Sequence, residues 1–507
     1  MGAIRRSSRR ERCSALVGGA VTFAVPFAAF TSLVLYHFYL RGSFLLDSGL
    51  LAYLAAHGGP TLPTPHVLCG QSFFATHLTP IFLVTAQLRR WLPVYDAQFF
   101  ALFIGFCHAL PGIGVFSVLR SGFGLRRPAG IVLAALIGMA FSFNGLALAI
   151  ARYPHFEMLI VGGAILFAVA LVRRQHHIAA LWFVLCLATR EDAGFHLFAL
   201  LFVLIALNRW QGMPWSAQRA EISFAAIALA FSLAEILVQM TVAQGQSSLV
   251  RIYLGDPPLG TLTPQIVAER LLGYLTYRTY LILPAAIAVF WAVRTRNPYI
   301  VVGYVAFLPY LLLHLTASSD LAATLSAYYA YPLMIAAFWP LLGVLLEWRR
   351  RGVQGKAAMP VLAFAAMIAG AFVAVPRQHN PGGLEFPASL VSPPSFSRQS
   401  ATERAIAELT RAKPQLGRVV VDDSVLALAP DDYDPGETSL ARTREPPDTA
   451  IYFDQGYGAQ AVRAMAAAAH LVRYYRVPGT SIRLAADRPI DPASPLAALL
   501  VPADAPN

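Results

Sequence analysis

From Ser14 to Leu40 the chain runs 27 residues without an Asp, Glu, Lys or Arg. A helix rises about 1.5 Å per residue, so about 20 residues cross the roughly 30 Å hydrocarbon core of a bilayer. In hydrocarbon every backbone polar group has to be satisfied within the segment, which leaves helix as the conformation for an isolated run. Similar runs recur near 15–40, 98–119, 129–150, 157–172, 178–189, 194–208, 221–243, 279–293, 298–316, 328–347 and 357–376. Only 13% of the 507 residues are charged, against about 25% in soluble proteins. The expected fold class is mainly α: a polytopic α-helical membrane protein of about 11 spans.

The charges set an expected orientation. The N-terminal Arg5-Arg6-Ser7-Ser8-Arg9-Arg10 resembles the basic start of a signal peptide. The apolar run behind it exceeds the usual 7–15 residues or so, and an uncleaved first span is expected. Loops on the N-terminal side of the membrane carry 18 Lys and Arg, and those on the other side carry 7. The bias predicts a cytoplasmic N-terminus, an outer C-terminus and an odd span number. The formal charge of +12 divides into +14 over residues 1–376 and −2 over 377–507. The excess base thus belongs to the membrane part. No basic stripe with interleaved aromatics accompanies it, so nucleic acid is not an expected partner, while membrane lipid is. Cys13, Cys69, Cys107 and Cys186 have neither disulfide-framework nor zinc spacing.

Three parts follow: a membrane domain over 1–376 with a first outer loop at 41–97, a linker at 377–400 rich in Pro, Gly and Ser, and a small extracytoplasmic α/β module over 401–507. In the first loop, Leu45 to Ala56 reads as a helix stopped by Gly58-Gly59, and Leu78 to Leu92 as a helix in the outer interface. In the module, helices are expected at 401–412 and 458–469, strands at 418–421 and 450–453, and a hairpin around Pro478-Gly479.

Certain charges are costly where they stand. Asp47 follows the first span by seven residues, and a carboxylate near a bilayer needs a partner or a task. The run Ile178 to Thr189 spans only about 18 Å as a helix. Thr189-Arg190-Glu191-Asp192 is therefore expected below the outer surface, where charge is tolerated only in an enclosed or watery cavity. Short, interrupted helices point to binding sites. The aromatic-rich outer segment 244–278 and Tyr328, Tyr329 and Tyr331 read as interfacial belt first and ligand contacts second.

The ordered set Asp47-Ser48-Gly49, His77-Leu78-Thr79-Pro80-Ile81, Glu157 and Thr189-Arg190-Glu191-Asp192-Ala193 resembles a prokaryotic membrane family, domain of unknown function 2079. That family in turn resembles the GT-C glycosyltransferases, which have an essential Asp just after the first span and draw sugars from polyprenyl-phosphate carriers. Arg190 stands where the family has Lys. The first loop has no DxD, so a divalent metal is not supported and no cofactor is expected beyond the donor substrate. The resemblance implies a glycosyltransferase that moves a sugar from a polyprenyl-phosphate carrier to an unknown acceptor on the outer face. Asp47 is then either a helix N-cap or the general base for the acceptor hydroxyl. Arg190 is either a structural ion pair with Glu191 or Asp192 or a clamp on the leaving phosphate. His77 either caps the next helix or binds phosphate or sugar, and Glu157 either pairs with Arg152 or lines the same cavity. Glu191 and Asp192 orient Arg190 or bind the acceptor. A transporter or flippase of lipid-linked intermediates is the alternative, and a non-catalytic scaffold a third.

Overall fold

The structure is a computed structural model describing residues 9–35, 48–58, 73–75, 77–94, 96–151, 155–241, 249–255, 257–260, 262–325, 327–353, 355–373, 396–429, 431–438, 445–454 and 457–504. The described chain is mainly helical, with one small sheet. The helices of its first three-quarters are α1 (Arg9–Ser32), α2 (Ser48–His57), α3 (Ile81–Trp91), α4 (Asp96–Ser121), α5 (Pro128–Ser142), α6 (Gly145–Ala151), α7 (Met158–Val172), α8 (His176–Leu187), α9 (Ala193–Trp210), α10 (Arg219–Thr241), α11 (Pro264–Tyr277), α12 (Thr279–Thr295), α13 (Val302–Ala306), α14 (Leu308–Leu315), α15 (Asp320–Ala323), α16 (Pro332–Arg351) and α17 (Ala358–Val373).

Among the described residues six helices are long and apolar enough to cross a membrane: Cys13–Leu35, Asp96–Ser121, Ala193–Trp210, Trp215–Thr241, Pro298–Leu315 and Tyr328–Arg351. The pair α11 and α12, bent by 82°, is a seventh if it forms one span. Four shorter apolar helices are α5, α7, α8 and Ala358–Ala371 within α17.

Local chemistry explains where two elements depart from the sequence reading. The run expected as one span at 129–150 is broken between α5 and α6. Asn144 makes the break: its side chain donates to the Phe141 carbonyl (2.6 Å) and accepts from the backbone N–H of Leu146 (2.9 Å) and Ala147 (3.0 Å). It closes one helix and caps the next. Within 244–278, read as a loop, lies α11. Thr263 accepts from the Ile266 N–H at 3.2 Å and Pro264 occupies the first helical position, a helix start in residue type as well as geometry.

Two compact units emerge. The first comprises residues 1–28, 105–151 and 156–384. Its helices pack as hairpins, α7 with α8 and α9 with α10. Gly112 of α4 and Gly138 of α5 sit backbone to backbone, where an added Cβ on either would strike the other's carbonyl. Small residues give membrane helices this close approach. α16 ends on Arg349, Arg350 and Arg351 and is closed by Gly352 at φ 67°, with cations at the negative end of the helix dipole.

The second unit comprises residues 29–104, 152–155 and 385–507, so the first loop joins the C-terminal segment. The remaining elements are α18 (Phe396–Arg411), β1 (Val419–Val421), α19 (Asp423–Leu428), β2 (Thr449–Phe453), α20 (Tyr457–Ala468), β3 (Arg473–Arg476), β4 (Ile482–Ala486), α21 (Pro495–Leu499) and β5 (Val501–Ala503). The strand order is β1-β2-β4-β3-β5, with β1 parallel to β2 and the other pairs antiparallel. Helix α2 packs on α19: Gly49 lies against the Asp423 backbone, and Tyr53, one turn on, packs against the apolar core of Leu409, Val421, Ile451 and Leu484. Burial and the nearby carboxylates of Asp434 and Asp96 push the Tyr53 phenol up to about 12.

Candidate functional site

The turn between α8 and α9 carries the charges that the sequence singled out. Helix α8 stops at Leu187, and Thr189 turns its hydroxyl back onto the Leu185 carbonyl (2.8 Å). Residues 189–192 are therefore a turn rather than helix. That lets Arg190 and Asp192, two apart in sequence, face each other, which helix spacing forbids. Arg190 Nε donates to Asp192 Oδ1 at 2.9 Å, and Nη2 donates to Oδ2. On its other side Nη1 donates to Glu157 Oε1 at 2.7 Å, and Glu157 precedes α7. The guanidinium is planar with five N–H groups. Among the described residues these bonds use three, leaving one N–H on each terminal nitrogen.

Burial is uneven across this cluster. The Arg190 side chain is 6% exposed and Glu157 0%, but Asp192 is 24% exposed. The open edge faces a cavity of about 470 Å³ in the first unit, lined by Arg190, Glu191, Asp192 and His196 on one side. Tyr253, Phe307, Tyr310 and Leu313 are on its wall too, with Leu233 and Ile236 of α10. The cavity is thus charged at one end and apolar or aromatic along the rest. His196 Nε2 lies 3.8 Å from Asp192 Oδ2 and has no hydrogen-bond partner among the described residues. Its ring meets those of Tyr310, Tyr331 and Phe307.

A second layer fixes the tyrosines. His314 Nδ1 lies 2.7 Å from the Ala322 carbonyl, which only accepts, so Nδ1 carries the proton. Nε2 is then the acceptor for the Tyr253 hydroxyl at 3.2 Å. Tyr310 donates to the Tyr329 carbonyl at 2.8 Å. The segment 244–278 reads in the sequence as interfacial belt first; the packing places its Tyr253, with Tyr310, on the cavity. Glu235 was not singled out at all. It is a buried carboxylate in α10 whose oxygens have no hydrogen-bond partner among the described residues. An acid in the middle of the apolar run 221–243, well inside its first residue Glu221, was the available signal.

The other sequence candidates fall as follows. Glu157, Arg190 and Asp192 form one cluster, and Glu191, buried beside it, lines the same cavity. Glu157 pairs with Arg190; Arg152 lies outside the described residues, as does Asp47. His77 belongs to the second unit, half-buried with its ring near Phe73. It does not cap α3, whose N-cap position is Pro80 with no side-chain bond. Among the described residues no group of three or more His, Cys, Asp or Glu is arranged to hold a metal.

The family described as predicted membrane protein (DUF2079) matches residues 49–428. The chain belongs to the DUF2079 family. Of the candidates in this DUF2079 chain, His77, Glu157, Arg190, Glu191 and Asp192 lie inside the match, and Asp47 stands two residues before it. ArnT from Cupriavidus metallidurans, solved bound to undecaprenyl phosphate, is a structural neighbour: the TM-score is 0.51 at 13% identity, over 93% of this chain and 98% of that one. The apo state of the same protein aligns at 0.49, again at 13% identity, over 93% and 97%. The DUF2079 chain therefore has an ArnT-like fold over most of its length. No protein with a curated description matches it.

Proposed function

We propose that this chain is an integral-membrane glycosyltransferase that takes a sugar from a polyprenyl-phosphate carrier and passes it to an acceptor on the outer face of the bacterial inner membrane. The observation that carries the reading is the 470 Å³ cavity with a half-used guanidinium at one end and apolar walls beyond it. A phosphate on a long hydrocarbon chain has that same division. The ArnT-like fold, whose neighbour was solved with undecaprenyl phosphate, supports the choice of carrier; the step from fold to activity is an analogy.

In this reading the acceptor oxygen attacks the anomeric carbon as the bond from that carbon to the phosphate oxygen breaks. Asp47 takes the acceptor proton, and polyprenyl phosphate leaves with the bonding pair. The free N–H groups of Arg190 bind the leaving phosphate, while Asp192 and Glu157 hold the guanidinium plane in place. Glu191 and the open edge of Asp192 accept from sugar or acceptor hydroxyls, and His77 is a further substrate-binding residue. No metal ion is assigned a part.

The topology belongs to the same proposal. Helices α2 and α3 share one compact unit with the C-terminal strands, which supports a topology with the first loop and the C-terminal segment on one side of the membrane. If the four shorter apolar helices and the bent α11–α12 pair cross along with the five long helices from α4 onward, ten crossings lie between them, an even number. With α1 this gives eleven spans, a cytoplasmic N-terminus and an outer α/β module after a linker at 377–400, the orientation that the loop arginines favour.

The test is transfer from labelled polyprenyl-phosphate sugar in membranes carrying the protein or D47N. Loss of at least about a hundredfold is expected for removal of a general base, and undiminished transfer by D47N removes the assignment. A second reading, a transporter or flippase of lipid-linked intermediates, draws on the 82° bend between α11 and α12, since broken helices mark transporter sites. Product analysis separates the two: a new glycosidic bond supports the enzyme, and carrier moved unchanged supports the transporter.

A further inference from the structure

A larger cavity, about 610 Å³, lies in the first unit among the last turns of α7, α9 and α16 and the first turns of α8 and α10. Its depth is apolar and aromatic, with Phe167, Leu204 and Trp339. Its rim is basic: Arg174, Arg219, Arg349 and Arg350 line it, with Glu221 the one carboxylate among the lining residues.

The arginines near this rim divide by what they already do. Arg173 donates to the Ser117 carbonyl at 2.7 Å, and Arg209 lies over the Trp215 ring at 4.6 Å. Arg349 donates to the Val172 carbonyl at 2.6 Å, and Arg350 is paired with Glu347. The side chains of Arg174 and Arg219 make no hydrogen bond or ion pair among the described residues, and both residues line the cavity.

Arg174 is also held at a conformational cost. It sits at φ 59° in the turn that closes α7, where its N–H reaches the Leu171 carbonyl and that of Gln175 reaches Ala170. This left-handed position after a helix is the one glycine fills most easily. An arginine there gains nothing for the backbone.

We propose that this cavity binds an anionic phospholipid of the inner leaflet, with the phosphodiester head group between Arg174 and Arg219 and acyl carbon in the apolar depth. Planar guanidinium groups pair well with phosphate oxygens, and basic pockets between helices on the cytoplasmic side hold anionic head groups. The inference rests on the topology proposed above, not on glycosyl transfer. Cysteine labelling at Gln175 from either side of the membrane checks that topology separately.

The test titrates purified full-length protein in neutral detergent with phosphatidylglycerol, phosphatidylcholine or inorganic phosphate, reading bound lipid by native mass spectrometry and the thermal midpoint. Phosphatidylglycerol is expected to bind and raise the midpoint, and the other two are not. R174G suits the backbone, so its lipid-free midpoint should hold or rise while its affinity for phosphatidylglycerol falls. R219Q, on a different helix, should weaken binding independently, and the two together on the order of tenfold or more. Unchanged phosphatidylglycerol affinity in the double variant overturns the proposal. An equal response to inorganic phosphate overturns it in favour of a soluble ligand, and an equal response to phosphatidylcholine in favour of plain hydrocarbon filling.

Discussion

The two units each bury an arginine–carboxylate cluster, and the clusters differ in how completely their partners are matched. In the second unit Asp96 is fully buried at the start of α4, accepting from Arg89 Nε at 3.1 Å, with His57 Nε2 at 2.6 Å. The nitrogen partners are the outer members there, 23% exposed for Arg89 and 32% for His57. In the first unit the cation is itself buried, 6% exposed, between Glu157 at 0% and Asp192 at 24%, which faces the cavity. Asp96 has both oxygens engaged and a helix N-terminus behind it, so it is closed chemistry that staples α2, α3 and α4. Arg190 has two N–H groups left and space in front of it. A cluster that serves stability ends with its charges matched, and one that serves a ligand leaves part of the match open.

Several substitutions break or sharpen that contrast. The largest effect is expected from R190M, which strands Glu157 in the interior. Breaking a buried pair from one side costs about 3–5 kcal/mol, read as a drop in the thermal midpoint in detergent. D192N, at the exposed edge, should cost far less stability while still impairing carrier binding.

Next comes a pH effect confined to the second unit. Asp422, fully buried at the end of β1, has its carboxyl pushed up to about 6 by burial, against the N–H donors of Phe453 (2.7 Å) and Val425 (3.0 Å). The folded unit therefore keeps a proton that the unfolded chain releases near pH 4. Its contribution is present below pH 4 and is lost as pH rises through 6, about 3 kcal/mol in all. D422N should flatten that part of the unfolding profile of the full chain, and a profile unchanged by D422N would contradict the assignment.

D96N should cost about 1.5–3 kcal/mol, the range for a hydrogen bond to a charged group, and leave carrier binding untouched. G49A drives a Cβ into the Asp423 backbone; overpacking of this kind costs about 1–3 kcal/mol, and a neutral result would show that α2 is free to shift on α19. The smallest effect is expected at the surface pair Arg411–Glu408, where E408A should change stability by no more than about 0.5 kcal/mol.

Much of this was legible in the sequence, for a physical reason. Apolar length reports directly on bilayer thickness, so helices appear at 96–121, 158–172, 193–210, 219–241 and 332–351 close to where the runs lie. In the C-terminal segment, β1, β2 and the β3–β4 hairpin stand within two residues of the β-rich runs. Breaks were harder. Asn144 interrupts a run without lowering its apolarity much, and Thr263-Pro264 is a helix start that the surrounding polar residues hid. The turn at 189–192 was placed correctly, but partner choice was not readable: Glu157 is 33 residues from Arg190 and only tertiary packing joins them. Asp96 carries no signal of its own in the sequence, because its partners His57 and Arg89 come from other parts of the first loop.

The central claim is that the Arg190 cluster is the open one. Binding of undecaprenyl phosphate to the purified protein, compared between R190K and R89K, tests it most directly. Lysine keeps each charge and removes the planar fork. The account predicts at least about a tenfold loss of affinity for R190K and none for R89K. Equal affinities in the two variants would contradict it.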